Sequence, residues 1–125
     1  MPEGIVLWLE RFSTMRKYKA LVKQFVMEID QIKRMREEAR ELSLEFKDLS
    51  HQINVLSYSG SDDAYLDRLE ESLRNLEYDR GLLEENLEEA ECFLNDRLQD
   101  AYEDVPFAKA RNKAIAAFYR EAGLE

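Results

Sequence analysis

The stretch Ile32–Leu56, IKRMREEARELSLEFKDLSHQINVL, decides the fold of this chain. Its apolar residues recur at alternating spacings of three and four, which is the a/d heptad pattern of a coiled coil. We call these residues the first seam: Ile32, Met35, Ala39, Leu42, Phe46, Leu49, Ile53 and Leu56. The pattern continues backward to Tyr18, so the sequence predicts one long helix over about residues 4–57.

A short polar break follows this helix. Gly60 suits the left-handed residue just past a helix end, and Ser61 suits the N-cap of the next helix. Asp62 and Asp63 would then lie in the first turn, where the helix dipole favours acids. We predict a loop over residues 58–62, which is short enough to make the flanking helices antiparallel neighbours.

The alternation resumes after the break and predicts a second helix over about residues 63–103. The second seam consists of Leu66, Leu69, Leu73, Leu76, Arg80, Leu83, Leu87, Ala90 and Leu94. Arg80 interrupts it, and Gly81 follows directly. Two interpretations stay open: Arg80 reaches an acid of the first helix, or Gly81 marks a bend or a close contact with a second molecule.

A third, Ala-rich helix is predicted over about residues 106–122, with Asp104 as its cap and Pro106 in its first turn. Gly123 ends it. The chain is thus predicted to be one all-α domain, residues 1–125. We expect a long antiparallel coiled-coil helical hairpin, with the short third C-terminal helix packing at its open end on its own chain or on a neighbour.

The charge is unevenly distributed along the 125 residues, whose net charge is −9. Residues 60–105 hold four Lys/Arg against sixteen Asp/Glu, while the flanking parts are mildly basic. Because phosphate binding needs Lys and Arg, direct nucleic-acid binding is not expected. With one cysteine, no secretory signal and no apolar run long enough for a transmembrane segment, we expect a cytoplasmic protein.

The sequence offers little that favours an enzyme. His51 is the single histidine, and both His51 and Cys92 fall at outward-facing heptad positions. The Glu-x-x-His pairs of di-iron bundles and the Gly-rich loops that hold phosphates are missing from the sequence. We therefore expect no catalysis, no cofactor and no metal.

The two ends of the chain carry the candidate partner-binding residues. At the N-terminal end the apolar block Ile5–Leu9 is followed by the basic residues Arg11, Arg16, Lys17, Lys19 and Lys23, as in segments that enter a partner's groove or lie on an anionic membrane. They would instead be structural if the N-terminal apolar residues pack under the third helix. The candidates are Trp8, Phe12, Arg16, Lys17, Phe107, Phe118 and Tyr119.

Several apolar residues lie off both seams, where a two-helix pairing would leave them exposed. They are Val22, Val26, Leu44, Val55, Tyr65, Tyr78, Leu82 and Phe93. Exposed apolar patches mark interaction surfaces. We therefore expect a protein partner and a homo-oligomer, with a dimer as its first form.

A cluster of glutamates on the second helix forms a candidate acidic face: Glu84, Glu85, Glu88, Glu89 and Glu91. One interpretation is a solvated surface that pairs with the basic start of the first helix. The loop and glycine of a calcium-binding hand are missing from this run. The other interpretation is a nucleic-acid mimic, encoded by a phage or a mobile element, that blocks a nucleic-acid-binding protein.

The layout as a whole, an acidic helical chain ending in a short basic helix, is similar to that of small phage scaffolding proteins and helical secretion chaperones. This resemblance implies an assembly factor. Three hypotheses follow: a self-associating interaction or assembly module, an acidic inhibitor, and a scaffolding-type or chaperone-type factor.

Overall fold

The computed structural model describes residues 16–60 and 62–125. Across these residues the protein is all-α, with four helices and no strand. Helix α1 is described over residues 16–24, and the others are α2 (Val26–Ser59), α3 (Asp63–Ala101) and α4 (Ala108–Ala122). The predicted start of the first helix, with Trp8 and Phe12, lies outside the described residues.

Phe25 separates α1 from α2, although the sequence predicts one helix here. The separation is slight, because the helical hydrogen bonds continue through it. The Phe25 N–H donates to the Leu21 carbonyl at 2.9 Å, and the Ile29 N–H donates to the Phe25 carbonyl at 2.9 Å. The apolar residues of α1 and α2 therefore stay on the same side of the helix.

The connection between α2 and α3 is made by Gly60 and the residues directly after it. Gly60 has φ +71°, in the left-handed region that its missing Cβ allows. Asp62 Oδ1 accepts the Ala64 N–H at 3.1 Å, and the Asp62 carbonyl accepts the Leu66 N–H at 3.1 Å. Asp62 is therefore the N-cap of α3, not a first-turn residue as predicted. Ser61, the expected cap, lies outside the described residues.

Helix α4 begins later than the sequence cues suggest. Phe107 is its N-cap residue and makes no side-chain capping bond, and Pro106 precedes the helix instead of lying in its first turn. Asp104 was expected to cap, but it belongs to a turn closed by the Val105 N–H donating to the Tyr102 carbonyl at 3.1 Å. Asp104 is thus part of this turn, and the N-cap residue of α4 is Phe107.

Two hydrogen bonds close the C-terminal end of α4 around Gly123, which has φ +73°. The Gly123 N–H donates to the Arg120 carbonyl at 3.1 Å, and the Leu124 N–H donates to the Tyr119 carbonyl at 2.9 Å. This is the Schellman pattern, in which the residue after the glycine also packs back on the helix. Leu124 is accordingly buried.

The described chain divides into two compact units. The first, which we call the core unit, comprises residues 16–33 and 90–125. Its buried residues come from all four helices and the C-terminal end: Leu21, Phe25, Ile29, Ile32, Leu94, Leu98, Tyr102, Ala114, Ile115, Phe118, Ala122 and Leu124. Phe25 and Phe118 meet edge to face, with their ring centroids 6.5 Å apart.

The second unit, the 34–89 unit, contains the rest of α2 and α3. Here Ile53 is the one buried apolar residue, at 9% exposure, while the other seam residues in this range are half-buried. The Arg80 guanidinium lies 4.5 Å from the centroid of the Phe46 ring, and its Nε lies 3.8 Å from Glu84 Oε1. Arg80 thus contacts an aromatic ring of α2 and an acid of its own helix, not an acid of the first helix.

Candidate protein-interaction surfaces

The described partner-binding candidates differ in their exposure to solvent. Arg16, Lys17 and Phe107 are exposed, Tyr119 is half-buried, and Phe118 is fully buried. Phe118 packs against Phe25, so its predicted contact with a partner would require the core unit to open. The Tyr119 hydroxyl lies 3.4 Å from Asn95 Oδ1 and links α4 to α3.

Lys17 has a structural contact within the chain, although the sequence suggests a binding role. Its Nζ donates to the Ala101 carbonyl at 2.6 Å and lies 5.5 Å from the centroid of the Tyr102 ring. Ala101 is the last residue of α3, where helical carbonyls lack intrahelical partners and the dipole favours cations. Lys17 therefore completes the end of α3. A basic residue in the sequence gives no signal of which helix end it will reach.

Two buried polar atoms in the core unit have no hydrogen-bond partner among the described residues: Tyr102 Oη and Arg111 Nε. Burial raises the pKa of Tyr102 to about 12. Nothing in the sequence indicates that the Tyr102 hydroxyl is buried without a partner among the described residues. A buried hydroxyl without a hydrogen-bond partner lowers the stability of the fold, because its lost hydration is not replaced.

The acidic face is open to solvent for the most part. Glu84, Glu85, Glu88 and Glu89 are exposed, and Glu91 is half-buried. Among the described residues, no group of three or more His, Cys, Asp or Glu side chains could hold a metal ion. The face is thus a row of mostly exposed carboxylates along α3.

The off-seam apolar residues are exposed as the heptad pattern predicts. Val22 is half-buried, and all the others are large apolar side chains that are exposed to solvent. Met27 and Tyr58, the latter 94% exposed, join this set. Both fall at outward-facing heptad positions, so the same signal could have identified them. The set within the 34–89 unit is Leu44, Val55, Tyr58, Tyr65, Tyr78 and Leu82.

A shallow depression lies on the outer face of α3 within the 34–89 unit. We call it the Gly81 face, and its lining residues are Glu77, Tyr78, Gly81, Leu82 and Glu85. A Cβ added to Gly81 would meet nothing within 4 Å, and Gly81 does not adopt a positive φ. Glycine inside a helix costs about 1 kcal/mol relative to alanine. The described fold therefore gives no reason for glycine at this position.

These surfaces have to be interpreted from their own chemistry. No helix within the described residues is long and apolar enough to cross a membrane. The candidate surfaces are the exposed apolar side chains, the Gly81 face and the acidic face. Comparison with known protein families, curated proteins and solved structures gives no match to this chain.

Proposed function

We propose that this protein is a non-enzymatic interaction module that assembles with copies of itself. In this proposal α2 and α3 form a long antiparallel coiled-coil hairpin, and the short helix α4 packs at its open end. The hairpin supplies the surface for self-association, with a dimer as its smallest form. A further protein partner would bind the assembled form.

Contacts within each unit support the antiparallel arrangement. In the core unit, Lys17 contacts Ala101 and Phe25 contacts Arg97, whose guanidinium lies 5.9 Å from the centroid of the Phe25 ring. Phe25 comes after Lys17 in the sequence, whereas its partner Arg97 comes before Ala101, as expected when two segments run in opposite directions. Nearly all seam residues in the 34–89 unit are half-buried. This is expected of a two-stranded coiled coil, in which each helix has a single partner to cover its seam.

The observation that carries the proposal is the balance of apolar side chains in the 34–89 unit. One is buried there, and six large ones are exposed. Single exposed apolar residues are ordinary, but this unit exposes more large apolar side chains than it buries. Since fully burying such a side chain contributes about 1.5–3 kcal/mol, association that covers several of them would supply free energy against the costs of ordering and association.

The test is size-exclusion chromatography with light scattering over a wide range of protein concentrations. We expect a mass of two or more chains, which falls toward that of one chain as the protein is diluted. Circular dichroism on the same samples should show that the helices persist. A single-chain mass at every concentration would contradict the proposal.

The acidic face supports a second candidate, an inhibitor that occupies a nucleic-acid-binding groove on another protein. Four of its five glutamates are exposed and so could meet a basic groove directly. This candidate needs no self-association. A protein that stays a single chain in the light-scattering experiment would therefore favour it over the assembly module.

A further inference from the structure

Arg80 is the starting point, because it places a charged side chain on a seam that is otherwise apolar. Its side chain is 29% exposed, so most of it is covered by the fold. Its guanidinium lies 4.5 Å from the centroid of the Phe46 ring on α2, well inside the range of a cation–π contact. A leucine at this position would bury apolar surface without removing a charge from water. The arginine therefore indicates a role other than stability.

Both members of this contact are exceptional in their own seams. Within the 34–89 unit, every residue of the second seam except Arg80 is a leucine: Leu66, Leu69, Leu73, Leu76, Leu83 and Leu87. Phe46 is the one aromatic residue of the first seam. The single charged member of one seam thus lies over the single aromatic member of the other.

The leucine repeat does not define its own alignment against α2. A slip of one heptad places leucines against apolar residues again. In the antiparallel hairpin of the proposed function, such a slip moves the turn along the chain by about half a heptad, which is one helical turn. The short connection allows this when one turn at the end of either helix unwinds. Another feature of the unit has to distinguish the native alignment.

The contact between Arg80 and Phe46 makes this distinction. The residues one heptad before and after Phe46 are Ala39 and Ile53, and neither has a ring. After a slip in either direction, the guanidinium would be partly removed from water without the π face that attracts it. Glu84, whose Oε1 lies 3.8 Å from Arg80 Nε, is on the same helix as Arg80 and moves with it. That ion pair therefore favours no alignment over another.

We propose that Arg80 selects the alignment of α3 against α2, and that the Phe46 ring is the group it recognises. A single polar residue on a coiled-coil seam specifies alignment in this way, at a cost in stability. The inference rests on the antiparallel hairpin of the proposed function and adds the pair of residues that fixes its register. It does not depend on self-association.

The experiment measures the distance between spin labels on cysteines introduced by Ser43→Cys on α2 and Asn75→Cys on α3. Both positions are exposed, and the full-length protein also carries Cys92→Ser. An excess of unlabelled protein ensures that only distances within one chain are measured. A slip of one heptad moves the two labels past each other by about 10.5 Å along the helix axis. The labelled parent should give one distance, and Arg80→Leu should give at least two.

Arg68→Leu is the matched control, because the Arg68 guanidinium lies 6.0 Å from the Tyr65 ring of its own helix. It removes the same charge from α3 and should keep one distance. Phe46→Leu should lose the single distance as Arg80→Leu does, since the ring is missing. Phe46→Tyr keeps a ring and should keep one distance. Helix content by circular dichroism should be the same in all four variants.

A single distance in Arg80→Leu, or several distances in Arg68→Leu, would overturn the inference. A parent distance too long for neighbouring antiparallel helices would remove the hairpin and the inference together. If Arg80→Leu alone loses the single distance and light scattering gives one chain at every concentration, the inference stands and self-association fails. If the protein self-associates and Arg80→Leu keeps one distance, the proposed function stands and Arg80 does not select the alignment.

Discussion

At the scale of single residues, Tyr102 is the most informative position in the core unit. Its ring is almost completely buried and lies near the Lys17 ammonium, which supports packing and a cation–π contact. Its hydroxyl is buried without a partner among the described residues. Ring and hydroxyl therefore act on stability in opposite directions.

Tyr102→Phe should raise the free energy of unfolding by about 1 kcal/mol near pH 7, because it removes the unpaired polar group and keeps the ring. Urea unfolding followed by circular dichroism measures this. Tyr58→Phe, at a position 94% exposed, should change stability by less than about 0.5 kcal/mol. A loss of stability in Tyr102→Phe would mean that the hydroxyl is paired in solution.

The same residue predicts a dependence on pH. Burial raises the pKa of Tyr102 to about 12 from its ordinary 10.0, so the unfolded chain ionises first. This ionisation therefore leaves the free energy of unfolding unchanged below pH 10. The free energy of unfolding falls as the pH rises from 10 to 12, by up to about 1.4 kcal/mol per pH unit. The stability advantage of Tyr102→Phe over the wild type should grow across this range.

Residue contacts were the part of the structure least accessible from the sequence. The heptad pattern correctly marks Arg80 as the charged residue on a seam, but it does not show that the guanidinium lies over the Phe46 ring. Phe118 was a candidate for binding a partner, with a structural role as the alternative. Only the packing of α4 decides between these roles, because it buries the Phe118 ring.

At the scale of the helices, the ends are set by individual capping groups. Asp62→Ala should lower the free energy of unfolding by about 1 kcal/mol, because the Ala64 N–H would lose its acceptor at the start of α3. Asp62→Asn keeps an acceptor oxygen and should be nearly neutral. Thermal unfolding of both, with exposed Asp67→Ala as the control within α3, checks this. Equal losses for Ala and Asn would show that charge, not capping, is responsible.

The helix ends also show where sequence reasoning succeeds and fails. Gly123 was predicted to end the third helix, and its left-handed φ shows why glycine is required there. The start of α4 was misjudged, because Asp104 and Pro106 carry the ordinary signals of a helix N-terminus. Asp104 lies instead in the turn at residues 102–104, and the hydrogen bond that closes this turn cannot be predicted from the sequence.

At the scale of the whole molecule, burial is divided unevenly between the two units. Twelve of the thirteen buried apolar residues among the described residues belong to the core unit, and Ile53 is the other one. The all-α class follows directly from the two seams. The uneven burial does not follow from them, because the heptad spacing continues along both seams. Only the packing of α4 adds a third layer of helices.

This unevenness predicts hydrogen-exchange behaviour. Backbone amides of the 34–89 unit should exchange at least tenfold faster than those around Leu98 and Phe118, because local opening there exposes little buried surface. Exchange mass spectrometry on dilute protein measures the difference. At concentrations where the protein associates, exchange in the 34–89 unit should slow while the core unit is unchanged. Uniform protection in the dilute sample would contradict the expectation.

The composition of the core unit also has a consequence for how the chain folds. Its two segments are separated in the sequence by the whole of residues 34–89. Closing so long a loop costs chain entropy before any stabilising core contact has formed. Folding is slower when contacts join residues that are distant in the sequence. Helix pairing within residues 34–89 shortens that loop in advance. A change that weakens this sparsely packed unit should therefore slow the folding of the well-packed one, even though it touches none of the native contacts there.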